Sequence, residues 1–155
     1  MNRRSEARAR AFATKHKIER VHTSYAALID DPDIDVIYNP LPNSHHFEWT
    51  MRALQAGKHV LCEKPITVST EQARHLTSLA KAKNVYLMEA MWTRFIPVTR
   101  HVKSIIDKGE FGDIKSIKIE SGFNILDGID PNSRHINPDL AGGTTLALGV
   151  YNVSY

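Results

Sequence analysis

Apolar positions along this chain come in two kinds of block, short continuous runs and longer stretches with helical spacing, and the two alternate. Residues 5–17, SEARARAFATKHK, are strong helix formers almost without β-branched residues. Ser24 offers an N-cap to a short helix, YAALID, which Pro32 closes. Residues 34–39, IDVIYN, make an apolar run of strand length. Asn43 or Ser44 caps a helix through about Gln55, with Gly57 just past its end. Residues 58–62, KHVLC, give the next strand, and Ser69 with Gln72 makes the capping box of a helix through about Lys83. Residues 85–88, VYLM, are a third strand, and a further helix spans about 97–108 before Gly109. From residue 114, IKSIKIESGF alternates with period two, the mark of a longer, half-exposed strand.

Strand, helix, strand, helix with short apolar strands signals a parallel α/β sheet. Strands that read as continuous apolar runs belong to sheets covered on both faces. The alternating strand after residue 113 suits instead an antiparallel sheet with one wet face. The chain therefore divides near residue 110, with a doubly wound unit in 1–110 and the start of an α+β region in 111–155. In open parallel sheets, ligands bind beyond the carboxyl ends of the strands. Two of those ends stand out. Asn39-Pro40-Leu41-Pro42-Asn43-Ser44-His45-His46 is a stiff turn entering a helix N-terminus, where free N–H groups carry partial positive charge. At the other, AGKHVLCEKPITVST (residues 56–70) runs a buried strand straight into Glu63-Lys64-Pro65.

Composition narrows the classes. With 155 residues, 42% hydrophobic and 24% charged, the chain has a soluble, globular make-up and enough length for one ordinary core. Its net charge of +3 is mild, but Arg3, Arg4, Arg8, Arg10, Lys15 and Lys17 face few acids. Such a cluster suits nucleic acid or another phosphate, but it is more often a solvated helix face. A single cysteine, Cys62, excludes an internal disulfide and thiolate-rich metal sites; its place in a strand reads as a small buried hydrophobe. His45 and His46 form a pair without a third ligand, so no metal is assigned. No stretch reaches the roughly 20 apolar residues of a membrane helix, and the basic N-terminus lacks a secretory apolar run. The expectation is a cytoplasmic protein with neither a membrane nor a nucleic-acid partner. Taken alone, a lysine ending a strand is usually solvated, and Trp92, Phe95 and Tyr151 are ordinary packing residues.

The segment IYNPLPNSHHFEWTMRALQAGKHVLCEKP resembles the middle of a Gfo/Idh/MocA oxidoreductase, a family of nicotinamide-dependent sugar and diol dehydrogenases. The resemblance continues through LMEAMWTRFIP and NPDLAGGTTLALGVY and so covers nearly the whole chain. Those two segments are most similar to the dihydrodiol and NADP-dependent D-xylose dehydrogenase branch. The resemblance implies a partial Rossmann-type doubly wound parallel sheet followed by the start of an α+β domain with an antiparallel sheet. It implies an NADP-dependent oxidoreductase of sugars or cyclic diols, with NAD as the alternative cofactor and a homodimer as the full-length assembly. Lys64 matches the motif lysine beside the nicotinamide ribose and the reacting oxygen. Tyr151 matches the proton-transferring tyrosine; a phenol, of ordinary pKa ~10, is a poor base at neutral pH until a nearby ammonium helps it. Leu41, Pro42, Asn43 and His46 match the turn that lines the cofactor. Glu63 matches the residue that orients the ribose and holds Lys64, and Trp92 and Arg94 match the segment beside the substrate.

Three departures qualify that pattern. None of the 8 glycines forms a G-x-G-x-x-G motif, and the chain enters near the end of the family's second strand. Arg3 or Arg4 then stands where a basic residue accommodates the 2′-phosphate of NADP and an acid favours NAD. The chain stops at Tyr155, early in the helix carrying Tyr151, and Ala147 occupies a position where the family commonly has aspartate. Two readings follow: an NADP-dependent dehydrogenase by descent, or a catalytically inert truncated paralogue that serves at most as a binding or scaffold remnant. In the second reading the missing neighbouring strands leave apolar edges open, and the 155 residues alone bind nicotinamide cofactor too weakly to detect.

Overall fold

The computed structural model describes residues 6–122, 124, 128–130 and 132–154. Its centre is a parallel sheet of β1 (Val36–Asn39), β2 (His59–Cys62) and β3 (Leu87–Glu89), in the order β1-β2-β3. Val36 pairs with His59 and Asn39 with Cys62, while Val60 pairs with Leu87 and Cys62 with Glu89. Two crossover helices, α3 (Asn43–Gln55) and α4 (Thr70–Lys83), join these strands. Successive crossovers in one direction place both helices on the same face of the sheet. Ahead of them lie α1 (Glu6–His16) and the short α2 (Tyr25–Ile29), and α5 (Pro97–Asp107) follows.

The helices form for local reasons. Ser24 caps α2 by accepting from the Ala27 N–H, and Ser69 caps α4 by accepting from the Gln72 N–H at 3.3 Å. The reciprocal half of the expected capping box is displaced by one residue, since the Gln72 side chain accepts from the Val68 N–H at 3.4 Å. Asn84 ends α4 in the left-handed region (φ 53°), which asparagine tolerates well. Gly57 follows α3 at φ +79°.

Ala53 and Leu54 on α3 and Leu76 and Ala80 on α4 recur at helical spacing and are buried against Ile37, Val60 and Cys62 of the sheet. Burial along β1 nevertheless alternates, unlike the continuous pattern of a strand covered twice. Ile37 and Asn39 face the helices, whereas Val36 and Tyr38 on the other face are 58% and 53% exposed. Among the described residues, then, the sheet is parallel and helix-flanked as expected, but helices cover one face.

The long strand expected from residue 114 is a correction. Described residues 114–122 carry no strand, and Ile114 and Ile117 are 44% and 65% exposed. A period-two pattern becomes a strand only beside a hydrogen-bonding neighbour, and no described strand lies next to this segment.

Leu54 and Leu76 are fully buried in this one core. Leu54→Ala is expected to destabilise the chain by about 2–5 kcal/mol. Urea unfolding followed by circular dichroism measures it, and a loss below about 1 kcal/mol would mean that α3 does not pack as described.

Candidate active site

Because the strands are parallel, their carboxyl ends deliver three turns to one edge of the sheet. The first, residues 40–42, is stiffened by Pro40 and Pro42, which fix φ and lack N–H groups. Asn39, 3% exposed, ends β1 by turning its side chain onto backbone and helix. Its Nδ2 donates to Thr50 Oγ1 at 3.0 Å and to the His46 carbonyl at 3.3 Å, while its Oδ1 accepts from the Leu41 N–H at 3.3 Å. The N-cap of α3 is Pro42, not Asn43 or Ser44, and it makes no side-chain cap bond. The reason is that Asn43 is engaged elsewhere: its Nδ2 donates to the Ala141 carbonyl at 2.9 Å.

His46, on the first turns of α3, joins the first turn to the second. Its ring is buried, with Nε2 2.7 Å from the Leu41 carbonyl oxygen and Nδ1 2.7 Å from that of Pro65. Both ring nitrogens are thereby committed to backbone. The Lys64–Pro65 peptide is cis.

Glu63 accepts two hydrogen bonds, from Tyr38 Oη at 2.6 Å and from the Lys64 backbone N–H at 3.3 Å. The bond to Glu63, with burial and the carboxylate's charge, holds the Tyr38 phenol above its ordinary pKa. The Lys64 ammonium has different partners. Nζ donates to the Ala147 carbonyl at 2.6 Å and sits 4.6 Å from the Tyr151 ring centroid. Ala147 lies in a π-helical turn, Thr145–Gly149, that runs directly into the short helix α6 (Val150–Asn152) carrying Tyr151. Such wide turns recur at functional sites.

The third turn, Trp92–Phe95, follows β3. Trp92 Nε1–H donates to Tyr151 Oη at 3.0 Å, and the two rings cross edge-on with centroids 6.1 Å apart. Arg94 shares this turn and is exposed. A cavity of about 130 Å³ opens between the first two turns, lined by Tyr38, Leu41, Asn43, Glu63, Lys64 and Arg134 among others. That volume is below the ~300–1,000 Å³ of a whole-ligand pocket, so it has room for a single ring-sized group. Arg134 reaches across it to the Pro40 carbonyl at 3.5 Å. Among the described residues no group of three metal-ligating side chains occurs, and no helix is long and apolar enough to cross a membrane.

A family profile described as an oxidoreductase family with an NAD-binding Rossmann fold, Gfo/Idh/MocA, matches residues 2–91, more than half of the chain. The chain belongs to the Gfo/Idh/MocA family. It is 44% identical over 142 residues to a D-xylose 1-dehydrogenase (NADP(+)) of Hypocrea jecorina, covering 88% of this chain and 36% of that protein. To the human trans-1,2-dihydrobenzene-1,2-diol dehydrogenase it is 36% identical over 152 residues, covering 98% and 44%. Its structure is similar to that of a 3-ketoreductase from Actinomadura kijaniata in complex with NADP and TDP-benzene (TM-score 0.77, 35% identity, covering 97% of this chain and 45% of that one). The chain thus spans less than half the length of these relatives.

Of the residues the Gfo/Idh/MocA resemblance singles out, Leu41, Pro42, Asn43, His46, Glu63, Lys64, Trp92 and Tyr151 gather at this edge. Arg3 and Arg4 lie outside the described residues. Glu63 meets Lys64 at the lysine's backbone N–H; the side-chain ammonium goes to Ala147. Sequence reading passed over Tyr38, Arg134 and His135. Tyr38 looks like one more strand residue until the β1–β2 register sets it beside Glu63. The Arg134 contact closes over 94 residues and leaves no local signal.

Burial pushes the Cys62 thiol, next to this site, up to about 12. A raised pKa keeps it protonated throughout neutral pH, so the nucleophilic thiolate is scarce. Alkylation by iodoacetamide at pH 8 is expected to run at least ~10²-fold slower in the native chain than in urea. Equal rates would show that β2 is not shielded.

Proposed function

We propose that this chain forms the catalytic edge of an NADP-dependent oxidoreductase of sugars or cyclic diols, with residues 111–155 as the start of its substrate domain. The observation that carries the reading is the convergence of Lys64 and Trp92 on one phenol, Tyr151. Tyr151 Oη takes the proton of the substrate hydroxyl in oxidation and returns it in reduction. The Lys64 cation over the ring, with the Trp92 N–H on the oxygen, stabilises the charge that develops as the proton leaves. The nicotinamide cofactor, when bound, exchanges hydride with the substrate carbon. Its nicotinamide-ribose end fits the small polar cavity, where Asn43, Glu63 and Lys64 offer an amide, a carboxylate and an ammonium beside the Leu41–Pro42 turn. Trp92 and Arg94 stand toward the substrate. Arg3 and Arg4 select NADP over NAD by meeting the 2′-phosphate, in keeping with the NADP named for the Hypocrea jecorina and Actinomadura kijaniata proteins.

The test is a chimera in which this chain replaces the matching segment of the Hypocrea jecorina dehydrogenase, assayed with D-xylose. Lys64→Ala and Tyr151→Phe are each expected to lower turnover at least ~10²-fold. The double variant should be little worse than either, because each residue needs the other. Full activity in Tyr151→Phe would move proton transfer to another group. A folded chimera with no turnover would favour the catalytically inert reading.

Cofactor titration of the same chimera checks the arginines. NADPH should bind more tightly than NADH, and replacing Arg3 and Arg4 by glutamine should remove most of that preference. Tighter binding of NADH by the parent chimera would overturn the assignment.

A further inference from the structure

Tyr38 is a residue with no evident reason to be where it is. It sits on the uncovered face of an outer strand, 53% exposed, where a plain β-branched residue would serve the sheet as well. Its hydroxyl nevertheless makes one of the shortest contacts at the site, donating to Glu63 Oε1 at 2.6 Å. The register explains the meeting. Tyr38 pairs with Leu61, and Glu63, two residues further along, projects from the same face. The Glu63 N–H also donates to the Asn39 carbonyl at 3.0 Å, so the backbone under the carboxylate is fixed as well.

We infer that Tyr38 is a positioning residue, which holds the Glu63 carboxylate in place as the acceptor for a ribose hydroxyl of the cofactor. This rests on the proposed function, because it supplies what Glu63 needs to act there. A lone carboxylate one residue past a strand has free rotamers and a nearby ammonium to collapse onto. With Tyr38 on Oε1 and the Lys64 N–H on Oε2, both oxygens are held and each keeps a lone pair for a ligand. The ammonium of Lys64 stays with Ala147 and Tyr151. Tyr38 thus keeps the two charged members of the Glu-Lys-Pro motif on separate duties.

The groups around the phenol are consistent with such a bond. Glu63 dominates in raising its pKa; burial adds to that, and the charge of Arg134 opposes it. The sign follows. A phenol held above its ordinary value donates throughout neutral pH, and the bond is lost only as pH rises through that raised value.

Two measurements test the inference separately from the function it serves. In the 155-residue chain, the tyrosinate absorbance at 295 nm should include one component titrating above the rest. Tyr38→Phe should remove that component, and Glu63→Gln should move it down. Its survival in Tyr38→Phe would show that the bond does not form in solution. In the chimera, Tyr38→Phe should raise the KM for NADPH about tenfold, the worth of one hydrogen bond to a charged group, and leave kcat nearly unchanged. Glu63→Gln should do at least as much, and the double variant should be no worse than Glu63→Gln alone. A normal KM in Tyr38→Phe beside a raised one in Glu63→Gln would overturn the role of Tyr38 while leaving the proposed function standing. A chimera without turnover would strike the proposed function, and the absorbance titration would still decide the bond.

Discussion

The candidate site hangs on the ring of His46. One buried imidazole meets a carbonyl from each of two turns, Leu41 and Pro65, at the same distance of 2.7 Å. The turns leave different strands and share no backbone ladder beyond Asn39, where the Glu63 N–H reaches its carbonyl. A neutral imidazole carries one N–H, so one of the two carbonyls accepts from the ring, and an unsatisfied buried polar group costs about 1–3 kcal/mol. The larger consequence is geometric. Lys64 stands one residue before Pro65, so the ring's contact with the Pro65 carbonyl sets where the lysine's backbone lies. His46 is itself placed by α3, which is held by Ala53 and Leu54 in the core. Core packing therefore reaches the site through one side chain.

Much of this could be read from the chain because it is local. Helical spacing, Ser caps and short apolar runs located α1 to α5 and the three strands to within two residues at most boundaries. The turn sequence and Glu63-Lys64-Pro65 pointed to the edge where the candidate site lies, because open parallel sheets bind ligands there. What escaped was non-local. Nothing around Tyr38 announces that its neighbour is Glu63; only the strand register does. Nothing in the loop before residue 142 announces that Arg134 lies over Pro40. The strand expected from residue 114 failed for the same reason in reverse, as a correct local pattern without a neighbour to pair with.

In the closing segment it is a backbone carbonyl that meets the motif lysine. The family commonly places an aspartate at the position of Ala147, four residues before the tyrosine. In this chain the Ala147 carbonyl accepts from the Lys64 ammonium at 2.6 Å. The π-helical turn makes that available, since its wider ring shifts carbonyls out of the usual i to i+4 pattern. The same turn sets the phase of Tyr151 relative to Ala147, so the lysine reaches a carbonyl and the face of the phenol at once. A carbonyl satisfies a donor without cancelling its charge.

That distribution of charge gives the site its sense. Lys64 and Glu63 are adjacent in sequence with opposite signs, and in water they would tend to pair for little gain. Here each is given a neutral partner of its own: a carbonyl and an aromatic face for the ammonium, a phenol and an amide N–H for the carboxylate. Two unpaired, oppositely charged groups on one cavity wall can act on different parts of a ligand, the carboxylate accepting from hydroxyls and the ammonium favouring charge that develops on oxygen. An ion pair between them would quench both. The neutral partners Tyr38 and Tyr151 come from opposite ends of the chain, from the first strand and the last helix, and they converge on adjacent residues of one motif. The fold thus separates two charges that the sequence places side by side.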